Sequence, residues 1–120
     1  MIIVVANRDR ADPWRLNNFI GSLSTSFDKE HDELIIVDYG SESSTISSMI
    51  EAVQHSFIAT SFVFVERSRV KKWCKPHALN IGFRRTNTSL DKQHDFVLFT
   101  DIDVIFGKDF LNVLKKYQNN

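Results

Sequence analysis

The sequence predicts an α/β fold: a Rossmann-like three-layer sandwich with a mostly parallel sheet of about four strands and helices on both faces. Three observations carry this expectation. Short continuous apolar runs alternate with segments whose apolar residues recur at helical spacing. Helix-start signals such as Asp12-Pro13 stand between them. The connections are long enough for helical crossovers, which parallel neighbours require.

Taken in order, residues 2–6 (Ile-Ile-Val-Val-Ala) form an apolar run suited to a strand covered on both faces. After Asp12 as N-cap and Pro13 as first helical residue, Leu16, Phe19, Ile20, Leu23 and Phe27 make one apolar stripe. Leu34 to Val37 is the second strand, ended by Gly40 and a Ser-rich turn. Ile46, Met49, Ile50, Val53 and Phe57 give the second helical stripe, and Ser61 to Val65 the third strand. A basic loop leads to Pro76 and a helix through about Arg85. Phe96 to Phe99 is the fourth strand, and the last helix runs from about Lys108 to Tyr117.

With 120 residues, 42% hydrophobic and 25% charged, the chain has the size and composition of one globular domain, 1-120. A formal net charge of zero gives no pointer to nucleic acid or an anionic membrane. Charge is nonetheless uneven: residues 67–90 hold seven Lys or Arg and no acid, so this stretch is solvated, paired with distant acids, or binds anions. Cys74 is the sole cysteine, which excludes an intramolecular disulfide and fits reducing surroundings such as the cytoplasm. No apolar run approaches a membrane span, and Met1 opens on a strand and not a signal peptide, so the expected location is cytoplasmic, with attachment to the cytoplasmic membrane face left open.

In open parallel sheets ligands bind beyond the carboxyl ends of the strands. The fourth end reads Leu98-Phe-Thr-Asp101-Ile-Asp103. On an extended chain, residues i and i+2 face the same way at roughly 6.5–7 Å. Two carboxylates so placed repel each other, and a divalent cation relieves them, with oxygen donors favouring Mg²⁺ or Mn²⁺. The spacing equally allows one Asp to cap a helix and the other to pair with a basic residue. At the second end, Asp38 can accept bonds from a base or ribose, or from the backbone of the Gly-Ser turn. At the first end, Asn7 and exposed backbone can read a base edge and Arg8 or Arg10 can hold phosphate, while Asp9 reads as a solvated loop charge. The basic loop offers Arg67, Arg69, Lys71, Lys72 and Lys75 beside a helix N-terminus, and His77, Asn80 and Gly82 follow on that helix. Trp73 can pack on a base or sugar, or on the core. His31, His55 and His94 lack metal-ligand spacing, and no Gly-rich phosphate loop is present.

Ala6-Asn7-Arg8, Ile36-Val-Asp-Tyr-Gly-Ser41, Lys75-Pro-His-Ala-Leu-Asn-Ile-Gly82 and Phe96-Val-Leu-Phe-Thr-Asp-Ile-Asp103 occur in that order. Together they resemble the N-terminal, nucleotide-sugar-binding half of GT-A fold glycosyltransferases, particularly family 2 and the related galactosyl- and N-acetylgalactosaminyltransferases. The resemblance spans nearly the whole chain. It implies that Ala6, Asn7 and Asp38 surround the base, that Arg8 belongs to the nucleotide-binding set, and that Arg69 or Lys75 contacts the diphosphate. Asp101 and Asp103 then form the DxD motif, Asp101 toward ribose or metal-bound water and Asp103 on the metal. Asn80 joins this nucleotide-binding set. Tyr39 stands where many members have a second acid, and stacks on or abuts the base instead, which leaves the base identity open.

The implied reaction is transfer of a sugar from a nucleotide diphosphate, UDP-linked in the first instance, to a glycan or other acceptor hydroxyl, with Mn²⁺ or Mg²⁺ as cofactor. In the family, the general base and acceptor surface follow the DxD segment. This chain ends one helix later, so its catalytic base is unassigned. The expectation is an incomplete GT-A catalytic domain that binds donor and metal with little transfer, and that self-associates or is completed by a C-terminal region. A non-catalytic nucleotide and metal-binding module is the alternative. A flavodoxin-like receiver is disfavoured, because the third strand ends in Glu66 and a basic run where that class wants a lone Asp.

Overall fold

The computed structural model describes residues 1–56, 58–89 and 96–117. Phe57 and His94 lie outside them. Among the described residues four strands and four α-helices alternate: β1 (Ile2–Asn7), α1 (Pro13–Ser24), β2 (Glu33–Tyr39), α2 (Ser43–Gln54), β3 (Thr60–Val65), α3 (Lys75–Ser89), β4 (Val97–Asp101) and α4 (Phe110–Lys116). A short 3₁₀ turn, Arg67–Arg69, lies inside the basic loop. The sheet is parallel throughout, in the order β3-β2-β1-β4.

Register decides which side chains share a face. Ile3 pairs with Leu34 and Val5 with Ile36. These four pack on one side against Leu16, Phe19, Ile20 and Leu23 of α1, Met49 and Val53 of α2, and Leu111 of α4. The alternate residues Ile2, Val4, Ala6, Ile35, Val37 and Tyr39 pack on the other side with Ala78 of α3. Both faces of β1 and β2 are therefore dry, as their unbroken apolar runs require. Local signals set the boundaries. Asp12 caps α1 by accepting the Arg15 amide at 3.0 Å, with Pro13 at the first turn. Gly40 ends β2 at φ +82, and a Cβ there would stand 2.9 Å from Cγ2 of Val70 and 3.1 Å from Cα of Arg67.

The strand order reverses at β1. The chain steps outward from β1 to β2 to β3, then returns through α3 to place β4 on the far side of β1. That crossover lays α3 over β1 and β2, on the face opposite α1 and α2. A crevice opens beyond the carboxyl ends of β1 and β4, the switch point where doubly wound sheets hold ligands. No helix among the described residues is long and apolar enough to cross a membrane.

Candidate functional site

At the β1/β4 switch point lies an open cleft of about 520 Å³. The end of β1 contributes Ala6 and Asn7, and its loop Arg8, Asp9 and Arg10. The basic loop brings Trp73, and the first turn of α3 brings Lys75. The end of β4 contributes Asp101, Ile102 and Asp103. Ala6 is the register partner of Asp101, which puts Asp101 on the α3 side of the sheet. There its carboxylate meets the ammonium of Lys75 in a direct ion pair, both side chains being about half exposed.

The two acids reach the cleft by a different route from the one an extended strand offers. β4 stops at Asp101, and residues 102–103 form a turn closed by the Val104 amide donating to the Asp101 carbonyl at 3.3 Å. Ile102 is buried in the core on the α1 side and pins this turn. The pleated i, i+2 geometry expected from the sequence is thus replaced by a turn. Asp103 is exposed on the cleft wall. The cap of α4 is Asp109, in the left-handed region at φ 66, and not Asp103.

Several candidates named from the sequence stand elsewhere. Asp38 is completely buried. Its Oδ1 accepts from Asn7 Nδ2 at 3.3 Å and its Oδ2 from the Ser41 amide at 3.1 Å, which is the turn role. Tyr39 is 3% exposed; its hydroxyl is 2.6 Å from Nδ1 of His77, and the edge of its ring meets Trp73. Arg69 is exposed in the 3₁₀ turn, 3.8 Å from Glu66. Asn80 lines a separate apolar groove with Pro76, Leu79, Phe83 and Phe99. Arg8 does line the cleft, but its guanidinium donates to the carbonyls of Val70 at 2.9 Å and Lys71 at 3.4 Å.

Other residues acquire a role only in three dimensions. Asn7 is 1% exposed and joins three segments, since its Oδ1 accepts the Arg10 amide at 3.0 Å while its Nδ2 faces Asp38 and Ser41. Asp9, expected to be a solvated loop charge, is exposed but also bonded to three neighbours. Its amide donates to Ser41 Oγ at 2.9 Å, and its carboxylate accepts the Glu42 amide at 2.8 Å and Arg67 Nη1 at 2.9 Å. The Glu42 amide, above all, holds its carboxyl below the usual carboxylate value; partial burial opposes this, and the hydrogen bond and charge of Arg67 add to the lowering. Trp73 is 46% exposed, its ring nearly perpendicular to that of Tyr39, and it also lines the cleft.

No protein-family model matches the chain, and no curated protein does. Solved structures do. A mannosyltransferase from Pyrobaculum calidifontis, in complex with GDP-Man and Mn²⁺, superposes with a TM-score of 0.77 over 99% of this chain and 32% of its own, at 20% identity. S. aureus TarS 1-349 superposes with a TM-score of 0.76 over 98% of this chain and 32% of its own, at 18% identity. The same TarS portion in complex with UDP-GlcNAc gives 0.70 over 98% and 30%, at 20% identity. The fold is that of GT-A glycosyltransferases. The chain spans about a third of the length of these GT-A neighbours.

Within this GT-A fold, the donor set at the cleft suits a hard cation. Asp101 and Asp103 offer oxygen, the ligand type Mn²⁺ and Mg²⁺ take. Among the described residues no three His, Cys, Asp or Glu side chains gather as a ready-made cage. Lys75 and Arg10 line the same cleft, so its walls carry both charges that a metal-diphosphate would meet.

Proposed function

We propose that this chain, as a single nucleotide-diphospho-sugar-binding domain, is the donor-binding part of a metal-dependent glycosyltransferase. The observation that carries the reading is that Asp101 and Asp103 open on the same switch-point cleft as the end of β1, with Lys75 already drawn onto Asp101. Asp101 and Asp103 would hold a divalent cation, with diphosphate oxygens and water completing its shell. When bound, the cation would supply Lewis-acid stabilisation of the leaving diphosphate.

The chain's own residues do the rest. Lys75, at the first turn of α3, places a positive charge and the helix N-terminus toward the phosphates. Arg10, in the loop after β1, adds a second cation to the cleft lining. The backbone of Ala6 and Asn7 presents the edge against which a base would lie, and Trp73 offers it an aromatic face. Buried Asp38 acts one layer behind, fixing Asn7. The donor to test first is a UDP-linked sugar, with GDP as its rival.

A second reading, binding without transfer, is favoured by one feature of the cleft. Its third carboxylate, Asp9, is tied to Arg67 and the Glu42 amide and is held ionised, which suits bracing better than removing a proton from an acceptor. Calorimetry with UDP and with GDP, each with and without Mn²⁺, tests both readings when a donor-hydrolysis assay runs beside it. Mn²⁺-dependent binding that Asp103→Ala abolishes supports the donor site. Equal nucleotide affinity in the two proteins would remove the metal from the proposal. Binding without turnover of UDP- or GDP-sugar selects the module.

A further inference from the structure

We propose that Arg8 and Asp9 are positioning residues: a two-residue strap that fixes the basic loop so that Trp73 and Lys75 face the cleft. What the cleft binds rests on the donor-site reading above; what holds the loop rests on the bonds themselves.

Between β3 and α3 the chain runs from Glu66 to Cys74 with one buried side chain, Val70. Such a stretch has little apolar packing to set its path. Polar bonds from the β1 loop do so instead, and they take both ends of the 3₁₀ turn. At the near end, Arg67 Nη1 donates to Asp9 and also to the Gly40 carbonyl, each at 2.9 Å. At the far end, Arg8 donates to the carbonyls of Val70 and Lys71. Neighbouring residues thus grip the loop three to four residues apart, one as acceptor and one as donor.

Asp9 is itself anchored, through its amide to Ser41 and its carboxylate to the Glu42 amide, so the strap is tied to the turn after β2. Its backbone is left-handed, with φ 56. A non-glycine residue keeps that conformation where its surroundings demand it. Three strand-end loops are therefore locked together, and Trp73 and Lys75 come two and four residues after Lys71, the last gripped residue. Lys75 is carried by α3 on the sheet, and the strap sets the path along which the loop holding Trp73 enters that helix.

The chain carries its own reporter. Cys74, the sole cysteine, is exposed between Trp73 and Lys75 and takes a nitroxide spin label without further substitution. Asp9→Gly removes the carboxylate and leaves a residue that tolerates φ 56. The label's spectrum should sharpen in Asp9→Gly and in Arg67→Ala with the far-UV circular dichroism unchanged. Arg67→Lys, which keeps the charge, should recover part of the immobilisation. Mn²⁺-UDP affinity should fall roughly fivefold in the first two variants, the range of one partly exposed ion pair. If Asp9→Gly does not fold, Asp9→Asn gives the same readout. A label equally immobile in wild type, Asp9→Gly and Arg67→Ala overturns the strap. If the wild type binds neither UDP nor GDP, the donor-site reading fails and the label still decides the strap.

Discussion

Gly82 stands in the interior of α3, where the helix crosses β1 and β2. A Cβ at this position would overlap the Cγ1 methyl of Val4 and lie 2.9 Å from Cγ2 of Val37. Both valines are fully buried in the two central strands, so neither can move aside freely. Gly82→Ala gains about 1 kcal/mol of helix propensity. Forcing a methyl into filled space costs about 1–3 kcal/mol, and two obstructing methyl groups place this case at the upper end. The net expectation is a loss of about 1–2 kcal/mol, or roughly 3–10 °C in the thermal midpoint of a chain this size. Gly21→Ala is the control: that Cβ meets nothing within 4 Å on an exposed position of α1, so the same substitution should stabilise by about 0.5–1 kcal/mol. Urea and thermal unfolding followed by circular dichroism read both. If Gly82→Ala melts at or above wild type, the close approach of α3 to the sheet is not what demands glycine. Because α3 carries Lys75 at its first turn, the variant should also weaken Mn²⁺-UDP binding.

Asp38→Ala should cost about 2–4 kcal/mol in urea unfolding, because it strips a partner from the buried Asn7 amide and from the Ser41 N–H; a loss below 1 kcal/mol would mean water replaces the carboxylate. Lys75→Gln should weaken Mn²⁺-UDP binding roughly tenfold and lessen its salt dependence, as expected on losing one charged hydrogen bond, and unchanged calorimetry would take the lysine off the phosphates. The strap should respond to acid. Asp9 has its folded pKa below the usual 3.8, so the ionised bonds stabilise at neutral pH and are lost as pH falls through that lowered value. A label on Cys74 should stay immobile down to the usual carboxylate value of 3.8 and loosen only at pH below it, and loosening that begins near neutrality would point to another group.

Much of the fold was legible because β1 and β2 are apolar on both faces and leave no alternation to misread. The helices were legible through their stripes and through Asp12-Pro13. Helix ends are less legible than helix interiors, and two of them moved. α3 extends to Ser89, past the expected end near Arg85, and α4 runs from Phe110 to Lys116, shorter than the expected 108–117. The 3₁₀ turn at Arg67–Arg69 carried no periodic signal, because polar bonds to other loops hold it.

The sequence by itself determined the alternation of strands and helices, the parallel sheet they imply, and the acidic pair at the end of the fourth strand. Periodicity and strand-end position are local properties, and a chain read in one dimension displays them. Only the tertiary structure decided which strand-end residues share the cleft. The reversal of strand order at β1 sets Asp101 beside Ala6 and Lys75, while register turns Asp38 and Tyr39 into the interior. It also joined Arg8 and Asp9 to residues 58 to 63 positions away, since charged partners are chosen by proximity in space, which spacing along the chain does not encode.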